Sequence, residues 1–261
     1  MKKTEYTSLT HSFRLVQSSA GFSLVELLVT LSIIALLSGI MMPTVKSVRA
    51  SAEKLMCANN MRSIYYGING YAIDRLNSRQ YMPSSIPHDT KNFKDTMAIT
   101  AKDYGPKANQ EWDGLGLLWR NKSMGSYLDN CKCLYCPSHH GEHSYERYKQ
   151  DLEHSNNSLS PVNLVRQLFC NYQYAGGRDI KNGLRIPFNS PGNNVILTDG
   201  LRSKSDFNHL KGSNSLSNSG EVRWLYNEKF LNPNFISRMT DEVTNDRFSE
   251  IWTKIQSEVD R

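Results

Sequence analysis

No run of three or more lysines or arginines occurs in the 261 residues, and the formal charge of +6 is small for a chain of this length. A surface that grips nucleic acid through a basic tract is therefore not expected. Internal repeats and low-complexity stretches are also missing, so the chain reads as ordinary globular protein rather than an array or a linker. The strongest deficit is local. Between Gly21 and Pro43 the sequence GFSLVELLVTLSIIALLSGIMMP holds one charged residue, Glu26. No small-x-small cleavage site follows this run; its small residues, Ser18, Ser19, Ala20 and Gly21, come before it. A secretory signal peptide, with an apolar region of about 7 to 15 residues and the cut behind it, does not fit.

What is present is a membrane helix. Phe22 to Met42 is 21 residues, and at about 1.5 Å rise per residue they span roughly 30 Å, the thickness of a bilayer's hydrocarbon core. A polar segment with Lys2, Lys3 and Arg14 precedes it, Glu26 is the fifth residue after Gly21, and Pro43 the twenty-second. Pro43 lacks a backbone donor and is expected to kink the helix rather than end it. Beyond it, Leu55, Ala58, Met61, Tyr65, Ile68 and Ala72 recur at steps of three and four, which predicts an amphipathic helix to about Asp74.

Taken together, the glycine, Phe-Ser-Leu-Val-Glu, the apolar run and the proline closely resemble the prepilin signal of type IV pilins and type II secretion pseudopilins. The resemblance implies a cut between Gly21 and Phe22 by a prepilin peptidase, methylation of the Phe22 amine, and roles in assembly for Glu26 and Pro43. It implies residues 1–21 as leader, 22–43 as transmembrane and assembly helix, 44–75 as its amphipathic continuation, and 76–261 as an extracytoplasmic head. Without the leader the charge falls to +4, 28 basic against 24 acidic residues. The fold class expected is α+β, a long helix packed on a small antiparallel-sheet head. The location implied is the bacterial inner membrane, single-pass with the N-terminus cytoplasmic, then a filament in the periplasm or at the surface. Partners implied are the peptidase, other pilin or pseudopilin subunits, the inner-membrane assembly platform and lipid.

A second resemblance is looser. Cys57-Ala-Asn-Asn-Met-Arg, then Tyr71, Asp74 and Tyr81-Met-Pro, is similar to the segment following the helix in prepilin-type proteins with a processing-associated H-X9-DG domain. In that family a histidine is followed after nine residues by Asp-Gly. Here His209 keeps the spacing to Ser219-Gly220, with serine in place of aspartate. Read physically, the segment predicts a β-hairpin, with a strand near Phe207–Leu210, a turn through Gly212-Ser-Asn and a strand from Gly220 to Leu225. His209 as a metal or catalytic residue wants a carboxylate partner, and position 219 does not offer one.

Between Cys131 and His143 lie Cys131, Cys133, Cys136, His139, His140 and His143, six thiol or imidazole side chains in thirteen residues. That density suits zinc, although zinc signatures usually come as two separated ligand pairs. Outside the cytoplasmic membrane thiols oxidise, and five cysteines, with Cys57 and Cys170, allow two disulfides and one left over. The Cys136-Pro-Ser sequence also resembles a motif of the H-X9-DG proteins, which implies pairing of Cys136 with a distant cysteine such as Cys57. No cofactor is expected unless it is that zinc.

An enzyme is not expected. A nucleophilic cysteine needs a base held by a third group, and no protease or oxidoreductase signature surrounds any of the five. Asn171–Tyr174 and Asn194–Gly200 read as strands, Val162–Leu168 as a short helix or strand, and Phe248, Ile251, Trp252, Ile255 and Val259 line one face of a C-terminal helix. The leading reading is a structural pilin-like subunit. The alternative is a membrane-tethered protein whose head binds a secreted substrate or glycan, with Trp112, Trp119 and Tyr127 as candidate lining aromatics.

Overall fold

The structure, a computed structural model, describes residues 21–74, 80–85, 96–101, 112–119, 125–154, 167–179, 183–209, 211–226 and 245–261. The expected element at 162–168 falls mostly outside them. Two compact units emerge, residues 1–48 and 49–261.

Helix α1 runs from Leu24 to Asp74, 51 residues, and Pro43 lies inside it without ending it. Its start is written in the sequence: the Glu26 carboxylate accepts from the Ser23 backbone N–H at 2.9 Å, the reach-back half of a Ser-x-x-Glu capping box. Every described residue in the first unit is exposed. Two hydroxyls there bond to their own helix, Thr30 to the Leu27 carbonyl at 2.9 Å and Ser32 to the Val29 carbonyl at 2.8 Å. Hydroxyls satisfied this way need no water, which suits a helix in hydrocarbon.

In the second unit α1 buries Cys57, Ala58, Met61, Ile64, Gly67, Ile68, Tyr71 and Ala72. The expected face is present but rotated. Leu55 is 66% exposed, because at about 100° per residue it points roughly 150° away from the line through Cys57, Met61, Ile64 and Ile68. The steps of three and four also fitted that neighbouring line, and the buried cysteine chose between them.

The head is built on a four-stranded antiparallel sheet of β1 (Tyr172–Tyr174), β2 (Val195–Asp199), β3 (Gly212–Ser217) and β4 (Val222–Tyr226), in that spatial order. Short helices α2 (Gly116–Trp119) and α3 (Tyr145–His154) accompany it, and α4 (Asn245–Val259) closes the chain. The architecture is α+β. Both inner strands are wholly buried. One core joins the buried face of α1 to Trp112, Leu115, Leu118, Trp119, Leu134, Tyr172 and Leu197. A second lies under α4, where Phe248, Ile251, Trp252, Ile255 and Val259 pack with Val195 and Leu225. Gln256 ties that helix to the sheet, accepting from the Val195 N–H at 2.8 Å and donating to the Asn193 carbonyl at 3.0 Å.

The hairpin at 207–225 is displaced from its expected position. The stretch Gly212-Ser-Asn lies inside β3, and the turn falls at residues 218–221. Gly212-Ser-Asn has the small, polar composition of a turn, yet all of β3 is buried, because paired strands flank it on both sides and take up its backbone groups. At the actual turn Gly220 donates to the Ser217 carbonyl at 3.0 Å with φ +87°, and a Cβ there would sit 2.9 Å from the Tyr65 ring. A left-handed residue closing a short hairpin against a packed aromatic is a position for glycine.

Candidate functional site

The expected site residues fall in both units. In the first, Phe22 is 80% exposed and Leu24, Val25, Leu27, Leu28, Leu31, Ile33, Ile34, Leu36, Leu37 and Ile40 follow it at 50–80% exposure. So much apolar surface around all sides of a helix is stable in lipid or against other helices, not in water. Among the described residues α1 is the one helix long and apolar enough to cross a membrane. Glu26 sits in its first turn and Pro43 inside it.

Comparison with known proteins bears on this unit. Residues 17–42 match the family described as prokaryotic N-terminal methylation motif. The chain carries a prepilin-type signal. With the long apolar helix behind it, that signal is consistent with a type IV pilin-like protein and makes the chain membrane-anchored and single-pass. No curated protein and no solved structure matches the chain.

In the head the cysteines separate. Cys57, on α1, is joined to Cys136 by a disulfide across 79 residues, while Cys131, Cys133 and Cys170 lie outside any disulfide. The second bridge that five cysteines allow is not formed. Cys131 and Cys133 belong to a 3-10 turn, Cys131–Leu134, capped by Asn130, whose side chain accepts from the Lys132 N–H. Burial pushes the thiols of Cys133 and Cys170 up to about 12, far from a reactive thiolate.

The histidines of the Cys131–His143 segment also diverge. His139 donates from Nδ1 to the Asn208 side-chain oxygen at 2.9 Å. The Asn208 amide nitrogen is committed to the Asn171 carbonyl and Asp199 Oδ1, both at 2.9 Å, so its oxygen is the acceptor. His143 stacks on Phe169 with ring centroids 4.4 Å apart. Arg202 donates to His143 Nε2 at 3.1 Å, so Nδ1 carries the proton and donates to the Tyr148 hydroxyl at 2.7 Å. His140 is exposed. Trp112 and Trp119 are core residues, and Tyr127 packs on Tyr71 with centroids 5.7 Å apart. These aromatics support the head rather than line a cleft.

Burial holds the His143 imidazole down at about 4, and Arg202 permanently occupies the lone pair a second proton needs. The folded pKa lies below the unfolded value near 6.5. The unfolded chain therefore takes up the proton first, and stability present above pH 6.5 is lost as pH falls toward 4. For the full chain in detergent this loss is expected to be about 2 to 3 kcal/mol at pH 4, seen in thermal melts across the range. His143→Gln should flatten that dependence; an unchanged slope in the variant would assign it elsewhere.

His209 does have a carboxylate neighbour, which the chain supplies from β2 rather than from position 219. Asp199 Oδ2 lies 3.9 Å from His209 Nε2, and Cys136 Sγ lies 3.6 Å from the same nitrogen. Asp199 is fully buried; its Oδ2 accepts the Asn214 N–H at 2.6 Å. Burial raises its pKa, partly countered by His209 and Asn208, while burial lowers that of His209. Tyr172 places its hydroxyl 3.3 Å from Cys57 Sγ. In the sequence Asp199 stands near the end of the expected strand Asn194–Gly200. Its one available sequence signal was an acidic residue ending an apolar run, where burial is unusual. Ser219 instead serves the hairpin, donating to the Asn193 side-chain oxygen at 2.7 Å.

Proposed function

We propose that this protein is a structural pilin-like subunit, cut between Gly21 and Phe22, methylated on Phe22, and assembled through α1 into a pseudopilus or type IV pilus-like filament. The observation that carries this reading is the coincidence of the methylation motif at 17–42 with the half of α1 whose apolar surface is exposed throughout. A subunit that leaves the bilayer must trade lipid for equivalent apolar neighbours, and a bundle of identical helices supplies them. The peptidase, other subunits and the assembly platform are the partners this reading requires, with the head outside the cytoplasmic membrane. The Cys57–Cys136 disulfide supports that side, since such bonds persist in oxidising compartments. No catalytic turnover is assigned to the chain.

The test is the mass of the mature protein. Its N-terminus is expected at Phe22 with a methylated amine, and Gly21→Glu should leave a membrane-inserted precursor about 2 kDa heavier, from roughly 21 residues at about 110 Da, because the peptidase needs a residue without a side chain before the cut. An N-terminus after Ser38 would restore the secretory reading.

A further inference from the structure

Cys57, Cys136, Asp199 and His209 come from four separate parts of the chain, α1, the loop after the 3-10 turn, the end of β2 and the approach to β3. One ligand atom from each lies within 4.8 Å of all the others. We propose that, with its disulfide reduced, the head binds one zinc ion through these four side chains.

The distances carry the proposal. Ideal tetrahedral zinc, with Zn–S about 2.3 Å and Zn–N or Zn–O about 2.0 to 2.1 Å, requires ligand-to-ligand edges of roughly 3.5 Å for sulfur with nitrogen or oxygen and 3.3 Å for nitrogen with oxygen. Here Cys136 Sγ to His209 Nε2 is 3.6 Å and Cys57 Sγ to Asp199 Oδ1 is 3.3 Å. His209 Nε2 is 3.9 Å from the other carboxylate oxygen, Asp199 Oδ2, so a single ligating oxygen meets one of these two edges and has the other ligand atom within 4.8 Å. The pair that must open is the bonded one: the two sulfurs have to part to roughly 3.8 Å, the sulfur–sulfur edge of the same tetrahedron.

The surroundings hold the ligands in place. Asn208 and the Asn214 N–H fix the two Asp199 oxygens, and the Trp224 ring meets His209 edge to face at 5.4 Å. Outer contacts of this kind orient metal ligands. Two thiolates, a carboxylate and a neutral imidazole sum to three negative charges, which a divalent cation reduces to one. The ammonium of Lys54, 4.0 Å above the Trp224 ring, offers positive charge nearby. A thiolate-rich tetrahedral set selects zinc over magnesium or calcium. Of the four, Cys136 borders a cavity of about 510 Å³, together with Cys133, His139 and Tyr145.

The exchange balances with a dithiol as reductant. Its two S–H groups become a disulfide, the Cys57–Cys136 bond takes up the two electrons and two protons to give two thiols, and zinc binding then releases those protons to solvent. Cys57 and Cys136 thus hold α1 to the loop after the 3-10 turn by either of two clasps, one covalent and one coordinate, and the second also reaches β2 through Asp199.

The experiment uses the full chain in detergent, reduced with a dithiol, desalted without oxygen, and titrated with Zn²⁺ or Co²⁺. One metal per reduced chain and none per oxidised chain are expected, with Co²⁺ giving a thiolate charge-transfer band and intense tetrahedral ligand-field bands. His209→Gln and Asp199→Asn, which leave both thiols, should weaken binding by roughly 10- to 100-fold or more. Cys131→Ser/Cys133→Ser should keep the stoichiometry. Failure of the reduced chain to take metal overturns the proposal. So does unchanged affinity in His209→Gln, or loss of binding in Cys131→Ser/Cys133→Ser while its circular dichroism stays native. Filament formation plays no part in these readings, so the subunit proposal stands or falls separately.

Discussion

Glu26→Leu is expected to abolish filaments while processed monomer accumulates in the membrane. A charged side chain in lipid costs about 2.5 to 3.5 kcal/mol at the bilayer centre and less near the interface where Glu26 would lie, so leucine should improve insertion. After cleavage, Phe22 would expose a charged amine four residues from Glu26. In the dry helix bundle of the proposed filament the carboxylate of one subunit would pair with the amine of its neighbour and fix their axial register. Removing it leaves a buried, unpaired amine at each interface, at about 3 to 5 kcal/mol.

A local role competes with this one, since Glu26 also bonds the Ser23 N–H at 2.9 Å. Glu26→Gln separates the two, because the amide oxygen can still reach that N–H but carries no charge. Shear-fraction and membrane immunoblots report both quantities. Loss of filaments in both variants assigns the effect to charge, loss in leucine alone assigns it to the cap, and normal filaments in both would remove Glu26 from assembly.

Cys57→Ala is expected to lower the melting temperature of the oxidised chain by roughly 10 to 15 °C. The Cys57–Cys136 bridge closes a loop of 79 residues, and the chain-entropy model assigns such a loop about 4 to 5 kcal/mol of stabilisation. For a domain of this size each 1 kcal/mol moves the midpoint by about 2 to 4 °C. Thermal unfolding by circular dichroism without reductant measures it, with Cys133→Ala as the control. Equal midpoints for the two variants would show that the bridge contributes nothing.

The parts of the fold legible in the sequence were those whose pattern is local. The apolar run from Phe22 to Met42, the strand ending at Asp199 and the face of α4 each follow from side-chain periodicity within a few turns. The register of the β3–β4 hairpin was not legible, because Gly212-Ser-Asn has turn chemistry and becomes strand only once β2 and β4 flank it. Nor was the site around His209. Its carboxylate lies ten residues upstream at the end of β2, and its sulfurs come from Cys57 and Cys136, so the grouping exists only after the sheet and α1 have met. The dense Cys131–His143 segment drew attention by proximity in sequence, yet folding sends Cys136 to α1, His139 to Asn208 and His143 to Tyr148.

In the proposed filament a subunit would bear tension, and the Cys57–Cys136 bridge would decide which parts of the chain carry it. Force entering along α1 crosses at Cys57 directly to Cys136, so the 79-residue span between them is bypassed and cannot be drawn out. Pulled from its ends, the oxidised chain should release a contour shorter by roughly 260 to 280 Å than the reduced chain, at about 3.3 to 3.6 Å per residue, and optical-trap extension curves would read the difference directly. The remainder of α1 and the core segments around Trp112 and Trp119 then belong to an unloaded loop, sheltered from the pull that the sheet and α4 must withstand.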